Sequence, residues 1–120
     1  GIDEEWLTRD VEIQQYYHNS KMCGQPFTLQ ANFDLTQWVS FIDNKKNIAG
    51  GNLKMPIFLA SGDTDPLSNY GKDIKRLFDL MVSLGYENVH MKLYKDCRHE
   101  ILNELIKDEV YQDILTFFEE

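Results

Sequence analysis

The spacing of apolar residues divides the chain into two halves that meet near residue 50. In the first half, Ile13, Tyr16 and Tyr17 lie three and four residues apart, which predicts an amphipathic helix with Thr8 as its N-cap residue. A second helix, closed by two consecutive glycines, is predicted by the apolar set Leu35, Trp38, Val39 and Ile42. Residues 1–50 are therefore expected to form a helical segment.

The second half alternates between strand and helix patterns. Residues 55–60 form a continuous apolar run, which predicts a strand buried on both faces, and residues 89–94 predict a second strand. A helix ending near Gly85 is predicted between them, and a last helix is predicted by Val110, Ile114, Phe117 and Phe118. The expected fold class is α/β, with residues 51–120 forming a β-α-β-α unit that contains two parallel strands.

A polar loop follows each predicted strand. The loop SGDTDPLSN contains Asp63 and Asp65, and the loop KDCRHE contains His99. Parallel strands joined by a helix end at the same edge of the sheet, which is where open parallel sheets bind ligands. We therefore expect Asp65 and His99 to lie side by side.

A carboxylate beside an imidazole is two thirds of a nucleophilic triad, because the acid orients the ring and leaves its other nitrogen free to accept a proton. Simpler interpretations exist for each residue alone. Asp65-Pro66 is a common way to open a turn, and a histidine in a polar loop is often only solvated. His18 and His90 occupy a helix end and a strand interior, and we interpret both as structural.

Composition narrows the classes of partner. The net charge of -8, from 20 acidic and 12 basic residues, argues against a nucleic-acid partner. The sequence has neither a long apolar run nor a signal-peptide pattern, so we expect a soluble, cytoplasmic protein. Cys23 and Cys97 are interpreted as free thiols, and neither a metal site nor a cofactor is expected.

Three strings resemble the C-terminal part of α/β-hydrolase-fold serine hydrolases, in particular bacterial lysophospholipases and monoacylglycerol-lipase-like enzymes. They are PIFLASGDTDPLSNYGK, LYKDCRHEILNE and DEVYQDILTFF. In the first half WLTRD, YYHN and CGQPFT resemble the cap segment of that group, which assigns residues 1–50 to a helical cap or lid and residues 51–120 to the hydrolase core. The resemblance covers essentially the whole chain.

The resemblance implies that Asp65 is the triad acid and His99 the general base. The nucleophile of the family is a serine in a G-x-S-x-G elbow. None of the five serines here has a glycine two residues before it. We therefore expect the C-terminal portion of a hydrolase, inactive alone, whose partner is the missing N-terminal half.

The resemblance also implies a small lipid or ester substrate, with esterase, lipase and peptidase activity all left open. The cap would offer an apolar wall to the acyl group, for which the candidates are Phe27, Phe33, Leu35 and Trp38. The alternative for these four side chains is ordinary core packing.

Other functions compete with this one. Asp63-Thr64-Asp65 after a strand is similar to the D-x-D arrangement of magnesium-dependent phosphatases, although Leu67 and the intervening Gly62 depart from that pattern. A non-catalytic binding or interaction module derived from a hydrolase is the second alternative. Whatever the function, a two-stranded sheet leaves an apolar edge on the first strand, so we expect self-association through that edge or the helical half.

Overall fold

Helices occupy the first part of the chain, and strands appear only after residue 56. The computed structural model describes residues 3–119. Its helices are α1 (Val11–Asn19), α2 (Leu29–Ile42), α3 (Lys45–Ala49), α4 (Lys72–Ser83) and α5 (Lys107–Glu119), and its strands are β1 (Ile57–Gly62) and β2 (Val89–Tyr94). Short 3-10 turns lie at Asp3–Trp6, Pro66–Ser68 and Ile101–Asn103.

The two strands pair in parallel, with Ile57 opposite Val89 at one end and Gly62 opposite Tyr94 at the other. The predicted α/β class and the order strand, helix, strand, helix are confirmed. The predicted bounds of β2 are also those observed, and α4 ends just before Gly85, whose φ of 90° suits a residue without a side chain.

The first strand differs from its prediction in position and burial. It begins at Ile57, whose N–H donates to the carbonyl of Asn88 at 2.9 Å, because Pro56 has no N–H to give to the ladder. It continues to Gly62, two residues beyond the predicted end. The expectation of burial on both faces is wrong for residues 57–60, which are only half-buried, since a two-stranded sheet offers little cover.

The N-cap residue of α1 is Asp10 and not Thr8. Asp10 Oδ1 accepts hydrogen bonds from the N–H groups of Glu12 and Ile13, at 3.0 and 3.3 Å. Thr8 is fully buried and donates its hydroxyl to the carbonyl of Asn103, 95 residues along the chain. A long-range contact thus occupies the side chain that the local pattern had assigned to capping.

The second predicted helix is two helices, separated at Asp43 and Asn44. Thr28 begins α2 by accepting from the N–H of Ala31 at 3.1 Å, Asn44 begins α3, and Gly50 ends it. No residue of α2 is buried. Its apolar side chains have no covering surface within the described residues.

The small buried core lies between the sheet and α5. Tyr94, Cys97 and Val110 are buried there, and the partly buried residues packed against them are Ala60, Ile101, Ile106 and Ile114. Cys97 belongs to the loop that carries His99, so the core directly supports that loop. Among residues 3–119, no helix combines the length and apolar character needed to cross a membrane.

Candidate active site

Asp65 lies three residues after β1 and is buried, with 4% of its surface exposed. Its Oδ1 accepts a hydrogen bond from the N–H of Leu67 at 2.9 Å, so it does open the turn Pro66–Ser68, as the simpler interpretation of Asp65-Pro66 expected. Its second oxygen points elsewhere. Asp65 Oδ2 lies 3.1 Å from Nδ1 of His99.

His99 lies in the loop after β2, with 41% of its side chain exposed against 5% for the Asp65 side chain. Because Nδ1 faces a carboxylate, the neutral ring is held with its proton on Nδ1 and its lone pair on Nε2. This orientation leaves Nε2 as the atom that can take a proton from a hydroxyl. The structure thus brings together the two residues that the sequence had placed at one sheet edge.

An aromatic ring that the sequence did not single out lies beside the imidazole. The ring centroids of Trp6 and His99 are 5.3 Å apart, with 43° between the ring planes. The N–H of His99 also donates to the carbonyl of Trp6 at 3.3 Å. Trp6 belongs to the string WLTRD, but nothing in the local pattern indicated that it would reach residue 99.

We call SGDTDPLSN, residues 61–69, the acid loop and KDCRHE, residues 95–100, the base loop. Hydrogen bonds between main chain and side chain join the two loops. Asp63 Oδ1 accepts from the N–H of Asp96 at 2.7 Å, and the Thr64 hydroxyl donates to the carbonyl of Cys97, also at 2.7 Å. The first carboxylate of the D-x-D string is therefore used to tie two loops together. The second, Asp65, has its two oxygens on Leu67 and His99, an arrangement unlike a magnesium site.

Gly62 permits this close approach. A Cβ atom on residue 62 would lie 2.0 Å from the carbonyl oxygen of Cys97 and 2.3 Å from that of Arg98. Both are main-chain atoms of the base loop and cannot rotate away. A glycine at the end of β1 is thus a condition for bringing Asp65 within reach of His99.

A segment near the N-terminus supports the base loop from the other side; we call residues 6–9 the brace. Glu100 donates its N–H to the carbonyl of Leu7 at 2.7 Å, and the Arg98 guanidinium donates to the carbonyls of Glu5 and Thr8. The Arg98 guanidinium thus binds main-chain oxygens next to the brace and within it.

A buried ion pair connects the brace to the segment that follows the base loop. The Glu104 side chain is fully buried, and its Oε2 lies 3.1 Å from Nε of Arg9. Burial opposes the charge on Arg9, but the hydrogen bond and attraction from Glu104 outweigh it and raise the pKa of the guanidinium. Arg9 and Glu104 fall within the strings WLTRD and LYKDCRHEILNE, yet nothing in the local pattern gave either a role.

The thiol nearest to His99 is not activated. Cys97 is fully buried, and this burial, reinforced by the charge of Glu104, raises its pKa despite the opposing effect of Arg9. Reactive cysteines have a lowered pKa and a partly exposed sulfur. Cys97 therefore acts as a core residue, and both cysteines are free thiols.

The candidate acyl-binding residues lie away from any core. The side chains of Phe27, Phe33, Leu35 and Trp38 are all half or more exposed, so core packing within this chain does not account for them. Leu35 and Trp38 are three residues apart and share a face of α2, whereas Phe33 precedes Leu35 by two residues and lies on another face. The described residues therefore do not assemble these four into one wall, and their role in substrate binding stays a prediction.

The other two histidines make contacts with residues other than Asp65 and His99. His18 contacts Glu4 at 3.2 Å, and His90 contacts Asn88 at 2.6 Å. Two shallow depressions on the described surface, one beside α1 and one between β2 and α5, also leave out Asp65 and His99. Within residues 3–119, no group of three or more His, Cys, Asp or Glu residues is arranged to hold a metal ion.

Comparison with known proteins identifies relatives of this fold. A highly thermostable carboxyl esterase from Bacillus coagulans, solved in complex with glycerol, superposes with a TM-score of 0.84 at 26% sequence identity. The match covers 92% of this chain and 36% of the esterase, so the chain spans about a third of that enzyme. No curated protein matches the sequence. The family model for serine aminopeptidase, S33, matches residues 1–106, and the chain belongs to this family of α/β-hydrolases.

Proposed function

We propose that this chain supplies the acid and the base of a serine ester hydrolase, with Asp65 and His99 as those two groups. The observation that carries the proposal is the 3.1 Å contact between Asp65 Oδ2 and His99 Nδ1 at the carboxyl edge of a parallel sheet. Burial of the acid and exposure of the ring agree with these roles, since the acid orients and the imidazole meets the substrate.

The proposed reaction follows the acyl-transfer scheme of serine hydrolases. A serine hydroxyl gives its proton to Nε2 of His99 while its oxygen attacks the ester carbonyl, and Asp65 stabilises the imidazolium that forms. The same nitrogen then returns the proton to the departing alcohol. Water repeats the sequence on the acyl-enzyme and releases the acid.

The serine would come from residues outside these 120. No serine of the chain lies in a G-x-S-x-G elbow, and the chain spans only 36% of the related esterase. Loss of the nucleophile alone lowers the rate of a serine protease by about 10⁶. We therefore propose that the chain alone is inert and that the N-terminal half of the hydrolase is its partner.

We further propose that residues 1–50 form the cap of the hydrolase and that the substrate is a small lipid ester, such as a lysophospholipid or a monoacylglycerol. Exposed apolar side chains on and before α2 support an acyl-binding role for Phe27, Phe33, Leu35 and Trp38. Residues 6–9 do not fit a division at residue 50, because the brace contacts the base loop.

The test is labelling with a fluorophosphonate probe, applied to this chain alone and to the polypeptide that its full reading frame encodes. We expect no labelling of the chain alone, and labelling of the longer polypeptide at a serine in a G-x-S-x-G elbow. In that polypeptide His99→Ala should lower kcat/KM for p-nitrophenyl butyrate by about 10⁶, and Asp65→Asn by about 10⁴. The matched control is His18→Asn, an exposed histidine beside Glu4, which should leave the rate unchanged.

Substrate class is then read from a panel of monoacylglycerol, lysophospholipid and aminoacyl anilide. Preference for the first two supports the lipase assignment, and preference for the anilide supports a peptidase. If the longer polypeptide is not labelled by the fluorophosphonate and hydrolyses none of these substrates, the hydrolase proposal is contradicted and the non-catalytic binding module is favoured.

A further inference from the structure

The Glu104 carboxylate is buried and fully hydrogen bonded, and the proposed reaction has no step for it. Its oxygens accept from four donors: the N–H of Arg9 at 3.1 Å, Nε of Arg9 at 3.1 Å, the N–H of Arg98 at 2.8 Å and the N–H of Leu105 at 3.1 Å. A buried charge is tolerated only when it is paired and hydrogen bonded in this way, and removing one partner is strongly destabilising.

One of these oxygens joins the brace to the residue beside His99. Oε1 of Glu104 accepts both from the N–H of Arg9 and from the N–H of Arg98, the residue immediately before the base. Oε2 binds the Arg9 guanidinium. A single carboxylate therefore sets the distance between residue 9 and residue 98.

Consecutive main-chain donors of the base loop are held in the same way. The N–H of Arg98 donates to the Glu104 carboxylate. The N–H of His99 donates to the carbonyl of Trp6, and the N–H of Glu100 donates to the carbonyl of Leu7. Thr8 adds a bond from its hydroxyl to the carbonyl of Asn103. With these main-chain positions held, side-chain rotation is the main freedom left to the imidazole.

We propose that Glu104, together with Arg9, is a positioning unit that holds the backbone at His99 so that Nδ1 meets Asp65. The catalytic meaning of this unit rests on the proposed function. Glu104 acts through the main chain of Arg98, and touches neither His99 nor Asp65 by a hydrogen bond in the described residues. Such preorganisation matters because a base displaced by a fraction of an ångström no longer meets its donor.

The test reads the tautomer of His99 in this 120-residue chain and needs no activity. Long-range ¹⁵N–¹H correlation spectra, recorded in alkaline buffer at a pH where the ring signals no longer change with pH, give the ratio of the Nδ1–H and Nε2–H forms of the neutral ring. We expect Nδ1–H to dominate in the parent chain. Glu104→Gln should lower that ratio about fivefold, the scale of one hydrogen bond. The reason is that the amide replaces one acceptor oxygen by an NH₂ group, which faces the N–H donors that the carboxylate had bound.

Three comparisons separate positioning from general stability. Glu109→Gln, a change of the same kind in the first turn of α5, where Glu109 pairs with Lys92, should leave the ratio unchanged. In an Asp65→Asn background, Glu104→Gln should have no further effect, since the contact that it positions is already lost. If Glu104 is purely structural, Glu104→Gln will unfold at a lower urea concentration, but its folded molecules will keep the tautomer ratio of the parent chain. That result overturns the proposal.

Arg9→Gln covers the case in which Glu104→Gln does not fold. It removes the Nε donor but leaves the N–H groups of residues 9 and 98 on Glu104, so a fall in the same direction but smaller is expected. If Asp65→Asn changes the tautomer ratio but folded Arg9→Gln does not, the positioning role alone is overturned. If Asp65→Asn leaves the tautomer ratio of the parent chain unchanged, both this proposal and the Asp65–His99 pair are overturned.

Discussion

At the scale of single residues, the absence of a side chain at position 62 is as important to the site as the carboxylate at position 65. The carbonyl oxygens of Cys97 and Arg98 lie where a Cβ of residue 62 would be. The same carbonyl of Cys97 accepts from both the N–H and the hydroxyl of Thr64, at 3.0 and 2.7 Å. The two loops are therefore in contact through their main chains, with no room for adjustment.

Gly62→Ala tests this close approach. Because the clash is with main-chain atoms, we expect the loops to separate and the free energy of unfolding to fall by about 1–3 kcal/mol, as for an overpacked core. Urea denaturation followed by circular dichroism measures the change. Gly50→Ala is the matched control, since its Cβ would lie at an ordinary 3.5 Å from the nearest atom. Equal midpoints for the two variants would contradict the argument.

At the scale of elements, a cluster of charged and aromatic side chains attaches α5 to β2. Asp113 Oδ2 lies 2.5 Å from Nζ of Lys92 and accepts from the Tyr94 hydroxyl at 2.8 Å. Lys92 also pairs with Glu109 at 2.9 Å. The hydrogen bond from Lys92, followed by that from Tyr94, lowers the pKa of Asp113 below its ordinary 3.8. Lys92 is 39% exposed, so solvent screens part of this attraction.

This cluster predicts a stability difference that depends on pH. A lowered pKa means that the charged carboxylate stabilises the folded state above about pH 4 and that this contribution is lost as the pH falls through the folded-state pKa. Asp113→Asn should therefore reduce the free energy of unfolding by about 1 kcal/mol at most at pH 7, and by much less at about pH 2.5. Urea titrations at both pH values measure it.

The control for that experiment is Asp79→Asn, a change of the same kind at an exposed position of α4. It should alter stability little at either pH. A deficit in Asp113→Asn that is equally large in acid would show that the loss comes from packing and not from the charge.

At the scale of the whole molecule, the chain is more extended than a self-contained domain. Its radius of gyration is 16.4 Å, against about 13.6 Å for a compact domain of 120 residues. The sheet of the described residues has two strands, and α2 has no buried residue. Large exposed apolar side chains and a short sheet are the features of a polypeptide that needs another surface.

We therefore predict that the isolated chain self-associates, through the free edge of β1 or the exposed face of α2. Light scattering over a range of concentrations should give a mass above that of the 14.1 kDa monomer. Trp38→Gln should lower that mass if α2 is the contact, whereas Tyr16→Gln, an equally exposed aromatic change on α1, should not. A strictly monomeric mass at high concentration would refute the prediction.

In the second half of the chain, the order of strands and helices, the bounds of β2 and the meeting of Asp65 with His99 were accessible from the sequence. Each depends on short-range information: apolar spacing reports which face of an element is buried, and a helical connection makes neighbouring strands parallel. Two loops that follow parallel strands must then meet at one edge. Knowing which strands are neighbours was enough to bring residues 65 and 99 together.

Only the tertiary structure decided which residues support that pair. Thr8 bonds to Asn103, Arg9 to Glu104 and Trp6 to His99, all contacts between positions more than 90 residues apart. Local periodicity carries no information about such contacts, because they depend on how the brace lies against the base loop. For the same reason the sequence pattern predicted Thr8 as the N-cap residue, although its hydroxyl donates to the distant carbonyl of Asn103. The sequence by itself determined that residues 65 and 99 meet at the sheet edge, and the packing of distant segments determined which residues hold them there.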